Sequence, residues 1–309
     1  MDSISRRSFL HLSVAAAAAA RLVPAGFTSE IVSPEKKKIG IYVDLGSEGA
    51  DATFARISKL GFTSCELYTD QYGIEMAGPL KAAMKKYKID VLALFTLGPG
   101  PTTWDFYEGQ NTIGLVCREY REARVQALFQ LSDLAKACGI NMIETHVGYI
   151  PENPADSNYA ETIESLKRIV GYCAKNNQTF LYHAGQESPT TALRAIKDVG
   201  MENQGIGMDT ANLIMYDRGH PLHALDVYGK YIKIVSCKDG VYPVDPKNLG
   251  QEVPIGQGKV DFLALFNKLK EIGYDGPVII EREGAREGEW EKDVCESREF
   301  LEKLIERHN

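Results

Sequence analysis

The chain alternates two textures. Short apolar runs are followed, again and again, by longer stretches with the three-to-four-residue spacing of an amphipathic helix. The runs Lys38–Val43, Ser64–Tyr68, Ile89–Phe95, Asn141–His146, Thr179–His183, Ile206–Asp209, Ile232–Ser236 and Pro277–Glu281 predict strands. Ala50–Leu60, Gly78–Tyr87, Glu119–Cys138, Tyr159–Asn176, Thr190–Val199, Pro221–Tyr228, Val260–Ile272 and Glu289–Arg307 predict helices. Gly61 and Gly139 stand where helix C-caps belong. Regular strand–helix alternation implies parallel strands joined by right-handed crossovers. Eight such units close into a single (β/α)8 TIM barrel of the α/β class, here spanning 36–309. An open doubly wound sheet is the competing arrangement, but no GxGxxG turn follows the first strand. No linker or change of composition marks a second domain.

Residues 1–30 do not share this texture. SISRRSFLHLSVAAAAAARLVPAG places Arg6-Arg7 ahead of an alanine-rich apolar run, the pattern of a twin-arginine signal peptide. A basic amphipathic N-terminal helix is the alternative, and the run is too apolar on all faces for it. The run is also short of the roughly 20 residues a membrane-spanning helix needs. Val23-Pro24-Ala25 is a partial match to a cleavage site. Export by the twin-arginine pathway to the periplasm is expected, with no membrane attachment once the signal is removed. The remaining chain, about 270 residues, has the size of one barrel.

Composition narrows the partners. The net charge is −7 and the pI about 5.5, which leaves no basic patch for nucleic acid. Six cysteines stand at 65, 117, 138, 173, 237 and 295, with no CxxC pair, so a zinc knuckle or thioredoxin-type site is not expected. Cys65, Cys138 and Cys173 fall within predicted elements and read as buried thiols.

A barrel of this kind keeps its chemistry at the C-terminal ends of its strands. Those ends are polar here: Glu66 near the end of the second strand, His146 on the fourth, His183 on the fifth with Gln186-Glu187 after it, Asp209 on the sixth, Ser236 on the seventh and Glu281 on the eighth. Each alone has a plain structural role. A strand-end carboxylate caps or charges the next helix, and a histidine makes a core hydrogen bond. Several carboxylates at one mouth repel unless a cation or a shared proton relieves them.

Beyond the ends, NTIGLVCREYREARV, THVGYIPENP, AGQES, DTANLIMY, CKDG and EVPIGQGKVDFLALFNKLKEIGYDGPVIIERE carry a resemblance. The chain resembles the sugar phosphate isomerase/epimerase family, whose members are xylose isomerase-like TIM barrels. The resemblance implies metal-assisted proton transfer at the carbon beside a carbonyl of a sugar or keto-sugar. It also implies a divalent metal (Mn, Co, Zn, Fe or Mg) held by side chains from the fifth to eighth strands, usually Glu, Asp, His and Glu. Asp209 and Glu281 match. The strand-five Glu is replaced by His183 and the strand-seven His by Ser236. His183, Asp209 and Glu281 are then the expected metal ligands, with Glu281 and His183 as the catalytic pair and binding weakened by Ser236. A carbohydrate-binding barrel with a relict metal site is one alternative. A metal-dependent lyase or hydrolase acting on an oxidised sugar is another. DNA-repair endonucleases on this barrel carry several more histidines and do not match an acidic, exported chain.

Six residues are expected to contact substrate: His146, Glu187, Asn212, Lys238, Trp104 and Glu66. Each has a structural alternative: a hydrogen bond into the strand-four loop for His146, an N-terminal helix charge for Glu187, an Asx turn for Asn212, a solvated amine for Lys238 and buried pairing for Glu66. Arg282, alternating with Glu281, reads as structural. The aromatic loop of residues 99–112, with Trp104, reads as a cover over the pocket, where a sugar C–H face stacks on a ring; a dimer contact is the other use. The partner is a small carbohydrate, and a homo-oligomer is compatible with the chain.

Overall fold

The computed structural model describes residues 39–286 and 288–306. The twin-arginine segment, Lys38 and Arg307 lie outside them. The parallel strands β1 (Ile39–Asp44), β2 (Ser64–Tyr68), β3 (Asp90–Phe95), β4 (Met142–His146), β5 (Thr179–His183), β6 (Gln204–Asp209), β7 (Ile232–Cys237) and β8 (Val278–Ile280) close into a barrel in chain order, with β8 pairing back onto β1. The intervening helices are α1 (Gly49–Lys59), α2 (Ala77–Tyr87), α3 (Arg121–Cys138), α4 (Ser157–Lys175), α5 (Pro189–Val199), α6 (Pro221–Tyr228), α7 (Phe262–Glu271) and α8 (Trp290–Glu306). The sequence-based fold is therefore the observed one.

Alternation along the strands divides the core into two shells. Inward positions Ala93, Leu181, Ile234 and Ile279 fill the lumen. Outward positions such as Val43, Leu67, Ile143 and Tyr182 pack under the helices. Each large aliphatic or aromatic side chain fully buried this way contributes about 1.5–3 kcal/mol. Side-chain caps set the starts of α4, α5 and α7. Asp156 accepts from the Asn158 N–H at the head of α4, Ser188 precedes Pro189 at α5, and Asp261 accepts from the Ala264 N–H at α7. Cys65, Cys138 and Cys173 are buried free thiols, as the element pattern suggests.

Some details differ from the sequence reading. The helix expected from Glu119 begins at Arg121, and β8 ends at Ile280, so Glu281 stands in the loop just past it. Two one-turn helices, Gly109–Thr112 and Asn212–Met215, and an antiparallel ladder of Asp239–Gly240 with Glu252–Val253 were not foreseen. These pieces are too short to carry a period. Asp239 organises the ladder's return. Its carboxylate accepts backbone N–H groups from Gly240, Gly256, Gly258 and Val260. A β-carbon on Gly258 would overlap that carboxylate, which explains the glycine in GQGK.

Candidate active site

His183 ends β5, Asp209 ends β6 and Glu281 follows β8. All three are buried, and one ligand atom from each lies within 4.8 Å of the other two. Asp209 divides its work. Oδ1 accepts the N–H groups of Ala211 and Asn212, each at 2.7 Å, and so pins the turn after β6. Oδ2 has no hydrogen-bond partner among the described residues. It stands 3.6 Å from His183 Nε2 and 3.7 Å from Lys238 Nζ. Glu281 is similar: Oε1 accepts from Lys238 Nζ at 2.9 Å, and Oε2 has no partner among the described residues.

His183 is oriented from below. Its Nδ1 donates to Glu144 Oε1 at 2.7 Å. Glu144 pairs in register with Leu181, and His146 with His183, so Glu144 lies one lumen layer beneath the histidines. Room for its carboxylate comes from Gly207, which pairs with His183 on the other side; a β-carbon there would overlap Glu144 Oε1. Glu66, from β2, is also wholly buried in the lumen, with neither oxygen in a hydrogen bond of ordinary geometry. His146 Nδ1 donates to Gln186 Oε1 at 2.9 Å, and its ring lies edge-on to His183 at 4.4 Å between centroids.

Burial dominates the electrostatics, and charged neighbours decide its sign. Burial alone would lower His183, but the nearby carboxylate of Asp209, the hydrogen bond to Glu144 and the charge of Glu281 raise it well above the ordinary imidazole range. Burial and the adjacent His183 push His146 well below that range. Burial would raise Asp209, yet Lys238 and His183 hold it below its usual value. Glu281 is pushed up to about 8 by burial, with Lys238 opposing and Asp209 adding to the rise. Glu66 is raised by burial and then by the charge of Glu144.

Above the cluster opens a cavity of about 810 Å³. His183 reaches it from the end of β5, and Asn212, Lys238 and Glu281 from just past the ends of β6, β7 and β8. Phe95, His146 and Trp104 line the β3–β4 side, where the Trp104 ring lies 5.3 Å from the His146 ring. Trp104 is 46% exposed. Its loop is tied down by the Phe106 N–H donating to Lys247 O and by the bridge Asp105–Asn248. Of the six residues expected against substrate, His146, Asn212, Lys238 and Trp104 border the cavity. Glu66 and Glu187 are buried and do not. Asn212 places Nδ2 3.3 Å from His183 Nε2. Lys238 is buried against three carboxylates and is not a solvated amine. Arg282 is held by Glu252 and Asp293, each at 2.9 Å, tying the ladder to α8.

Comparison with known proteins places this geometry. A model described as the xylose isomerase-like TIM barrel matches residues 54–304. The chain belongs to that family. A crystal structure of a xylose isomerase domain protein from Planctomyces limnophilus is 30% identical, with TM-score 0.82, over 88% of this chain and 99% of that one. Two more distant structures share the fold at 16% identity. One is a xylose isomerase-like TIM barrel protein from Mycobacterium smegmatis in complex with magnesium, with TM-score 0.66 over 87% of this chain and 96% of that one. The other is D-psicose 3-epimerase in the presence of D-fructose, with TM-score 0.64 over 87% and 99%. The uncharacterized protein MJ1311 of Methanocaldococcus jannaschii is 28% identical over 180 residues, 53% of this chain; the match spans just over half of that relative, 56%.

Two residues of the cluster escape a reading based on strand ends: Glu144 and Glu283. Glu144 had a signal. It alternates with His146 along MIETH, so both face the lumen.

Proposed function

We propose that this chain is a sugar isomerase/epimerase-like enzyme that moves a proton at the carbon beside a carbonyl of a sugar or keto-sugar. The observation that carries the reading is the convergence of His183, Asp209 and Glu281 within 4.8 Å beneath an 810 Å³ cavity. Metal fits the donor set. One imidazole and two carboxylates suit Mn²⁺, Fe²⁺, Co²⁺ or Zn²⁺, and two buried oxygens lack partners. A divalent ion held there would act as a Lewis acid on the substrate carbonyl.

The chain's own residues supply the rest. Glu281 is the base: in the ion-free site burial brings its carboxyl up to about 8, and its Oε2, which has no partner among the described residues, is the oxygen that would meet either the ion or the proton. His183 presents Nε2 to the mouth as ligand in the metal-loaded site, or as proton carrier without an ion. Asn212 and His146 are placed to hold substrate hydroxyls, and Trp104 to stack on a sugar face. Glu66 and Glu187, off the cavity wall, act only through their neighbours. The distant structural neighbour solved in the presence of D-fructose shares the fold alone.

Proton exchange tests the reading directly. A panel of ketoses and keto-sugars is incubated with Mn²⁺-supplemented protein in D₂O and followed by NMR. Deuterium should enter next to the carbonyl of at least one sugar, and Glu281→Gln should slow entry by about 100-fold or more. Binding without exchange would select the alternative suggested by Ser236 and the buried Lys238, a carbohydrate-binding barrel with a relict metal site. Cleavage products instead of an exchanged or epimerised sugar would select the lyase or hydrolase.

A further inference from the structure

The cluster already contains a cation. Lys238 Nζ, on a side chain only 3% exposed, stands 2.9 Å from Glu281 Oε1 and 3.7 Å from Asp209 Oδ2. These are the two carboxylates of the candidate metal group. A third, Glu283 Oε2, lies 2.6 Å away on the outer side. Glu283 differs from the other two in being 54% exposed. The ammonium thus bridges an inner pair and an outer rim. The lysine backbone is fixed, since its N–H donates to Thr210 Oγ1 and its carbonyl accepts from the same hydroxyl. Movement is left to the side chain.

We propose that Lys238 is a resident counter-cation: its ammonium and a divalent ion are alternative occupants of the Asp209–Glu281 pair, and the ion enters as the ammonium withdraws toward Glu283. This rests on the metal-assisted reading above. A divalent ion bonded to Asp209 Oδ2 at about 2 Å would lie no more than about 6 Å from Nζ as it stands, by the triangle of the two distances. Repulsion between a double and a single positive charge at that separation exceeds thermal energy several-fold, even at an effective dielectric constant of about 20. Ser236 sharpens the competition. Where the family resemblance implies an imidazole ligand, the chain offers a buried hydroxyl without a hydrogen-bond partner among the described residues. The ion has one fewer strong ligand with which to displace the lysine.

Calorimetric titration of the whole protein with Mn²⁺ tests this, with thermal melts to verify folding. Lys238→Met should bind Mn²⁺ at least about tenfold more tightly than the native chain, since one opposing charge is gone. Asp209→Ala in the Lys238→Met background should lose that binding. Glu283→Gln, at a half-exposed position that threatens the fold little, should bind Mn²⁺ more weakly than the native chain, because the ammonium loses its outer partner. If Lys238→Met binds no more tightly, or Glu283→Gln binds as tightly as the native chain, the proposal is overturned. Mn²⁺ retained after Asp209→Ala also overturns it. Calorimetry reads the ion alone, so the expected series with no sugar turned over would sink the isomerase reading and support this one.

Discussion

His183 Nδ1 donates to Glu144 Oε1 across 2.7 Å inside the barrel, which leaves Nε2 as the nitrogen that faces the mouth. A carboxylate behind a histidine fixes the ring and raises its basicity, and we propose that Glu144 does this for a metal-binding His183. Replacing Glu144 with Ala should lower Mn²⁺ affinity by about 10–100-fold. Glu144→Gln, which keeps an acceptor, should recover part of that loss. Equal affinity in all three proteins, measured by titration, would mean that His183 does not ligate through Nε2.

Ser236 pairs in register with Asp209, at the strand position where the family resemblance implies histidine. Ser236→His should tighten Mn²⁺ and Zn²⁺ binding, because an imidazole is a much better ligand than a neutral hydroxyl. Asp209→Ala should abolish binding. If neither change alters the isotherm, the ion does not bind at this mouth.

Glu187 gives a pH-dependent stability. Burial brings its carboxyl from 4.5 up to about 7 in the folded chain. A raised folded value means that the proton favours the fold. The contribution is fully present below about 4.5 and is lost as pH rises through about 7. Glu187→Gln cannot titrate, so the native chain should lose melting temperature relative to it between these two pH values. Parallel melting profiles for the two proteins would exclude a neutral buried Glu187.

Arg282 holds two buried carboxylates, Glu252 and Asp293, at 2.9 Å each. Removing the cation leaves both charges unpaired, so Arg282→Met should destabilise the fold by about 3–5 kcal/mol in denaturant titration. Arg282 also borders the cavity, and a smaller effect on ligand affinity is expected. A loss under about 1 kcal/mol would indicate that water rescues the carboxylates.

We also propose that the chain is exported, from Arg6-Arg7 and the alanine-rich run after them. Changing both arginines to lysine should hold the precursor in the cytoplasm on fractionation. A native chain found in the cytoplasm as well would remove the signal reading.

The barrel was legible because every strand met its helix at the expected spacing, and the strand-end rule located His183, Asp209 and Glu281. The rule fails one layer down. Glu144 occupies a lumen position where apolar filling is the ordinary expectation, and only alternation with His146 betrays its direction. Glu283 lies past β8, where no period survives, and its pairing with Lys238 depends on how the loop turns. The role of Lys238 could not be read either. A lysine two residues beyond Ser236 is placed on the right face by the sequence, but the burial and the three carboxylates around it are products of closure.

Gly207 gives this site a dependence on empty space. Glu144 comes from the strand on one side of His183 and Gly207 from the strand on the other, and the carboxylate fills the volume a methyl group would need. The direction of the imidazole is thus recorded partly as a missing atom, two strands away from the carboxylate that exploits it. Descendants of this chain could keep every polar group at the mouth and still lose the arrangement through one added carbon at a position that forms no bond to any of them.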